Sequence, residues 1–254
     1  MCCAVDYCEA TGVGREVSEV NKVPLLVEVI GEPSSGKTHL SSLFPKPALF
    51  DTTPKGEGYV ILKKLYPEEW KMRYFRIYTF DDFTVSLNFV KTKGEFFKTV
   101  VVDTSVDLRA LGAKAWLKLH KDRERLMPEE WGWVNVKVDD LVTEVTNQKG
   151  ACMNLVLTSQ MQDEWLDRKT TGRRIRKGVP TMNFQADIRL FLLLKQKADP
   201  QTMQLINEYE RICRVLKNRF RDQANKEEWV SDLKELSWKG IKELTKLGVG
   251  EVIE

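Results

Sequence analysis

The eight residues Gly31-Glu32-Pro33-Ser34-Ser35-Gly36-Lys37-Thr38 fit the spacing G-x-x-x-x-G-K-[ST] at every position. Each residue type has a part to play in holding a polyphosphate. Glycines let the backbone curl until several N–H groups point at phosphate oxygens. The Lys37 ammonium reaches the β- and γ-phosphates, and the Thr38 hydroxyl ligates Mg²⁺. His39 follows in the first turn of the expected helix, whose N-terminus adds partial positive charge. An ordinary Gly-rich turn between strand and helix needs the glycines but not the Lys-Thr pair. The candidate nucleotide-binding residues are therefore Gly31, Glu32, Pro33, Ser34, Ser35, Gly36, Lys37, Thr38 and His39.

Asp103 is the candidate second metal residue. It ends the run Thr99-Val100-Val101-Val102-Asp103, where an unpaired carboxylate inside a sheet is costly. At the strand's C-terminal end it can instead face Mg²⁺ through water. The bland alternative is that Asp103 only caps the helix that follows. Asp107 competes for the metal role from a weaker strand context. Thr104 comes next rather than a second acid, and no Asn-Lys-x-Asp occurs anywhere in the chain. The usual guanine-reading element is thus missing, which favours ATP.

These residues need strands and helices to hold them. Val23 to Ile30 is a β-branched apolar run, the pattern of a buried parallel strand, and it leads directly into the glycine loop. Lys37 to Leu43 reads as a short helix stopped by Pro45 and Pro47. Ala48 to Asp51, Arg73 to Thr79, Thr99 to Asp103, Asn154 to Gln160, Ile188 to Leu194 and Glu210 to Leu216 read as strands. Val60 to Tyr66, Leu108 to about Leu126, Val138 to Gln148 and Ser231 to Leu247 read as helices, the last from its spacing of leucines. Strands alternating with helices mean an α/β fold with a mostly parallel central sheet flanked by helices. A C-terminal β-hairpin and helix close the chain. Residues 1–22 read as a weakly structured lead-in and 23–254 as one domain.

Composition removes several function classes. The chain has 254 residues, with 40 basic against 37 acidic and a net charge of +3. That balance does not by itself announce nucleic-acid binding, so the case must rest on local clusters. No apolar stretch approaches a membrane span, and residues 1–20 lack the apolar core of a secretory signal. A cytoplasmic location, virus- or phage-encoded proteins included, is the expectation. The five cysteines form no C-x-x-C pair and neither histidine lies near them, so reduced thiols are expected rather than zinc.

The string Gly31 to Asp51, with its short helix and then Phe44-Pro45-Lys46-Pro47-Ala48-Leu49-Phe50-Asp51, resembles RecA-like ATPases of the RecA/RadA superfamily. Within that superfamily it is similar to the phage- and archaeal-virus-type single-strand-annealing group. The resemblance runs on through Tyr78-Thr79-Phe80-Asp81-Asp82-Phe83, the strand ending at Asp103 and the strand ending at Gln160. It implies a RecA-like P-loop core, ATP and Mg²⁺ as cofactors, and self-assembly into a ring or filament. It implies Asp103 as the Walker B acid and Gln160 as a sensor of the γ-phosphate. Lys217-Asn218-Arg219 resembles the K-x-R element of RecA-like and DnaB-like ATPases, which reaches into a neighbouring subunit's nucleotide; Lys217 and Arg219 are then catalytic in trans. One departure is Asp51-Thr52-Thr53, where the group often has an acid two positions after the strand-ending Asp. Glu57 or Glu32 are the other carboxylates available to orient the attacking water.

In the segment after Gln160, the run from Arg168 to Lys177 carries six basic residues, Arg168, Lys169, Arg173, Arg174, Arg176 and Lys177, and no acid. By itself this is a solvated basic loop. In RecA-like proteins the loop at this place contacts DNA, so the resemblance implies a flexible loop for single-stranded DNA, with Trp165 near it for base stacking. The resulting expectation is an ATP-binding and ATP-hydrolysing protein acting on single-stranded DNA in recombination, annealing or replication. The alternatives are a DnaB-like helicase or translocase motor, a P-loop kinase, and a slow nucleotide-dependent interaction module.

Overall fold

A computed structural model describes residues 24–219, apart from 122, 148–151, 167–168, 200–201 and 203. The expected lead-in, the Ser231 to Leu247 helix and Arg168 lie outside the described residues. Eight strands form one sheet in the order β3-β2-β4-β5-β1-β7-β8, with β6 paired to β5 off that path. The strands are β1 (Leu26–Gly31), β2 (Pro47–Asp51), β3 (Tyr74–Arg76), β4 (Thr99–Asp103), β5 (Asn154–Leu166), β6 (Lys169–Lys177), β7 (Ile188–Ala198) and β8 (Leu205–Asn218). All pairings among β1, β2, β3, β4, β5 and β7 are parallel, while β6 and β8 run antiparallel to their partners. The mostly parallel α/β fold expected from the sequence is the fold observed.

Strands β1, β2 and β4 are buried along their whole length. They read as continuous apolar runs because helices cover both faces. Successive side chains still go to opposite sides. Ala48, Phe50, Val100, Val102, Leu155 and Leu157 pack into one core with α4 (Phe80–Thr92), α5 (Ser105–Leu119) and α6 (Trp131–Thr146). Leu49, Val101, Val156, Val27 and Val29 pack into the other with Leu40 of α1 (Lys37–Ser41) and Leu62 of α2 (Gly58–Leu65). Among the described residues no helix is long and apolar enough to cross a membrane.

Two strands overrun the C-terminal edge of the sheet. Gly31 at the end of β1 is level with Gln160 of β5 and Leu192 of β7, yet β5 continues to Leu166 and β7 to Ala198. Each overhang is paired by a returning strand, β6 on one side and β8 on the other. The glycine loop that follows β1 therefore lies between two β-ribbons. The segment expected to be a flexible basic loop is instead mostly strand β6. The reason is backbone hydrogen bonding: the overhanging β5 needs partners for its N–H and C=O groups, and residues 169–177 supply them.

At the opposite side of the sheet, Asp51 ends β2 fully buried. Its Oδ1 accepts from the Thr53 N–H, the Thr53 hydroxyl and the Arg76 guanidinium. Its Oδ2 accepts from the Gly58 N–H and the Tyr74 hydroxyl. Burial and this carboxylate push the Tyr74 phenol up to about 12, keeping it a donor. One side chain thus fixes the turn after β2, the start of α2 and the edge strand β3. Asp51→Ala leaves Arg76 and two amides without that acceptor; removing one partner of a buried ion pair costs about 3–5 kcal/mol. A urea titration of the variant is expected to show a loss of that size.

Candidate functional site

The loop after β1 is shaped by two glycines. A Cβ on Gly31 would lie 2.5 Å from the Ser35 Oγ and 2.7 Å from the Leu192 carbonyl, so only glycine lets the chain turn there. Gly36 sits at φ 99°, in the left-handed region. Between them Ser34 also has positive φ, at 63°, and the loop closes through a Ser35 N–H bond to the Glu32 carbonyl. Helix α1 begins directly at Lys37. Its first N–H groups have no partner within the helix and belong to the stretch from Lys37 to His39.

Lys37 is only 8% exposed. The loop folds over it. Its Nζ donates to the Gly31 carbonyl at 3.0 Å and the Glu32 carbonyl at 2.7 Å. Burial lowers its pKa, and the Asp103 and Glu32 carboxylates partly offset that. A desolvated ammonium at the mouth of such a loop gains most from an anion, which is the chemistry a phosphate offers.

Thr38 and Asp103 come together as the spacing implied. The Thr38 hydroxyl donates to Asp103 Oδ2 at 2.6 Å, and Thr158 of β5 donates to Asp103 Oδ1 at 2.5 Å. Thr104 is the N-cap of α5: its hydroxyl accepts from the Asp107 N–H and donates to the Asp107 carboxylate at 2.7 Å. The cap of α5 is Thr104 and the Asp107 carboxylate is engaged in that cap, while Asp103 meets α1 through Thr38. A threonine hydroxyl and one carboxylate suit Mg²⁺, which keeps several waters and takes few protein ligands. Among the described residues no group of three or more His, Cys, Asp or Glu is placed to hold a metal. Thr38 and Asp103 are the residues that would hold the ion, which supplies charge neutralisation at the phosphates when bound.

Gln160 is level with Gly31 across β5. Its even-numbered position places it on the same side of β5 as Thr158 and Val156, toward the loop. Glu32 is held from the ribbon by Arg174, whose Nη2 lies 2.9 Å from its Oε2. Arg174 also pairs with Asp163 at 3.1 Å, and Arg173 lies 3.9 Å from Glu164. The basic run is thus partly neutralised by acids on the opposing strand β5, a feature the run itself does not reveal. Arg176 turns inward and meets the fully buried Glu28 at 2.5 Å, a contact shared with Arg189 at 3.0 Å. It serves the sheet and is not offered to solvent. Lys169, Arg173 and Lys177 are exposed. Nothing is described of the Trp165 side chain.

Lys217 and Arg219 lie at the far end of the sheet. Lys217 is level with Arg189 and thence with Glu28, while the Arg219 N–H bonds the Asp187 carbonyl. At about 3.3 Å per residue this is roughly 10–17 Å below Gly31 along the strand direction, and two strands to the side. Arg219 pairs with Asp187 at 2.7 Å and also donates to the Gln185 carbonyl. The Lys217 ammonium is lowered by burial and by Arg219, with Asp187 acting the other way. The two cations converge on Asp187 and do not reach the chain's own loop.

A glycine loop with an embedded lysine, running from a central parallel strand into a helix opposite a strand-end aspartate, defines a P-loop nucleotide-binding domain. A family model described as "AAA domain" matches residues 24–209, and the chain belongs to that family. Among 114 similar chains of known structure is a KaiC-like protein of the hyperthermophilic archaeon Pyrococcus horikoshii OT3. It is 15% identical over 80% of this chain and 82% of its own, with a TM-score of 0.47. No curated protein sequence matches the chain.

Burial drives the Asp103 carboxyl above the ordinary range, outweighing the hydrogen bonds from Thr158 and Thr38; Asp51 pushes the same way and Lys37 against it. A raised carboxyl pKa means the folded state holds the proton more tightly than the unfolded chain. Stability is therefore lost as pH rises from the unfolded value near about 4 through the folded one. Asp103→Asn removes that loss. Thermal melts without Mg²⁺ near neutral pH are expected to show a higher Tm for the variant, with a flatter pH dependence, and Mg²⁺ with ATP should stabilise it less than wild type.

Proposed function

We propose that the protein binds and hydrolyses ATP with Mg²⁺ and acts on single-stranded DNA as part of a ring or filament, in recombination, annealing or replication. The observation that carries the first half is the 2.6 Å contact between Thr38 and Asp103 beside the buried Lys37. Those are the groups that hold a metal–triphosphate. The second half is supported by the β5–β6 ribbon. It stands at the loop's edge of the sheet, carries Lys169, Arg173 and Lys177 in solvent, and is tied to the loop by the Arg174–Glu32 pair. A ligand on the ribbon and a phosphate in the loop would thereby sense one another. The finer likeness to the single-strand-annealing group rests on the Gly31 to Asp51 string.

A second reading, slow turnover by the isolated chain, has its own observation. Asp51 is saturated with donors, Thr53 stands where an acid is common, and Glu32 is held by Arg174. Asp51 and Glu32 are thus both engaged, which leaves exposed Glu57 at the N-cap of α2. In this reading hydrolysis depends on assembly, with Lys217 and Arg219 stabilising charge on a neighbour's γ-phosphate.

Lys37→Ala is expected to weaken ATP by about 1.5–3 kcal/mol, the worth of a charge-assisted contact, when measured by isothermal titration. Joint reversal of Lys169, Arg173 and Lys177 to Glu should weaken single-stranded DNA in fluorescence anisotropy and cut the salt slope by roughly 0.7 per lost phosphate contact. Unchanged affinity and slope would remove DNA from the ribbon. Arg219→Ala should keep ATP binding but lower turnover about 10³-fold or more. Mixing it with the Lys37→Ala protein should restore part of the activity, because one interface regains both halves. Absence of rescue in a protein that stays monomeric with ATP and DNA would end the trans role.

A further inference from the structure

Strand order fixes which way a nucleotide lies in the loop. Along β4-β5-β1-β7-β8, Asp103 is two strands from the loop on one side and β8 is two strands away on the other. A metal held by Thr38 and Asp103 would neutralise charge at the terminal phosphates. The nucleoside end must then point across the loop toward the β7–β8 ribbon. Resting on the nucleotide site proposed above, we infer that Arg211 and Tyr209 of β8 form the seat for that nucleoside end.

The register puts them there. Leu190, Leu192, Leu194 and Gln196 of β7 stand opposite Val215, Cys213, Arg211 and Tyr209 of β8 without a break in pairing. Leu190, Leu192, Cys213 and Val215 belong to the core under α1. Side chains two apart share a face, so Leu194, Arg211 and Tyr209 continue that same face upward, past the sheet edge and beside the loop. Arg211 reaches the loop itself. A Cβ on Gly36 would lie 3.1 Å from the Arg211 Nε and 3.2 Å from its Cδ, so the arginine stem lies flat on that glycine. Among the described residues Arg211 has no carboxylate partner. One residue pair further out, Tyr209 is 57% exposed and Leu194 39% exposed, an apolar surface of the kind that solvent contact alone does not reward.

The chemistry is divided along the strand. The Arg211 guanidinium meets the first phosphate of the ligand and its sugar. Tyr209 offers its ring face to the base, and Leu194 lines the floor beside it. This seat works in cis, unlike Lys217 and Arg219 at the other end of the same strand.

The test is titration calorimetry of the full chain with ATP and, separately, inorganic tripolyphosphate, both with Mg²⁺. Tyr209→Ala is expected to weaken ATP roughly tenfold, a typical loss for a stacked base, with tripolyphosphate unchanged and Tyr209→Phe close to wild type. Arg211→Ala is expected to weaken ATP by at least as much, with Arg211→Lys recovering part. Both side chains are exposed, and equal melting temperatures show that the fold is intact. Variants that bind ATP as wild type does overturn the seat and leave the loop's role standing. So does a Tyr209→Ala protein that loses ATP and tripolyphosphate equally. A wild-type protein that binds neither ligand overturns the nucleotide site and the seat with it.

Discussion

A carboxylate buried at the end of an apolar strand has to be held, and Asp103 is held by Thr38 and Thr158. That small cluster links three elements. Asp103 brings β4, Thr158 brings β5 from between β4 and β1, and Thr38 brings α1 and the loop before it. The cost of the buried charge is accepted because it faces the lysine and the turn where a cation would sit. Two neighbouring decisions make the arrangement possible. Thr104 caps α5 in place of Asp103, and the hydroxyl of Thr52, bonded to the Thr104 N–H and carbonyl, pins the backbone immediately after the strand.

The loop also depends on what stands on either side of it. Both ribbons leave the same edge of the sheet, and each places an arginine on the loop. Arg174 comes from β6 to Glu32, and Arg211 comes from β8 to Gly36. Below the first ribbon, Glu28 in the middle of β1 binds Arg176, Arg189 and Ser159. A buried carboxylate with two guanidiniums and a hydroxyl satisfies its lone pairs, which a lone ion pair would not. The root of the β5–β6 ribbon is therefore anchored rigidly to β1, while its outer cations remain in solvent.

Much of this was legible in the sequence, for identifiable reasons. The buried strands announce themselves because both faces are covered, and the glycine loop because its residue types are chemically specific. Helix α4 is harder to see in the sequence: Thr79 and Asp82 form a capping box and Phe83, Leu87 and Val90 follow at helical spacing, but polar residues dilute the pattern. The sequence of β6 reads as a loop because glycine and threonines suggest freedom, whereas its strand character comes from pairing with a β5 that extends six residues beyond Gln160. Arg211 had no motif to mark it. Its position depends on the β7–β8 register, which only the tertiary structure supplies.

The remaining tension is between binding and turnover. Lys37, Thr38 and Asp103 suit a metal-bound polyphosphate, yet Asp51 and Glu32 are committed elsewhere. Asp51 organises the turn to α2 and the β3 edge; releasing it to activate water would unfasten Thr53, Gly58, Tyr74 and Arg76 together. Glu32 answers to the ribbon through Arg174. If a polyanion on the ribbon competes for Arg174, Glu32 is the carboxylate set free, and it lies in the loop itself. On the function proposed above, coupling between an occupied ribbon and hydrolysis would need no moving domain, only a change of partner by Arg174, whose 2.9 Å pair with Glu32 is the contact that exchange would break.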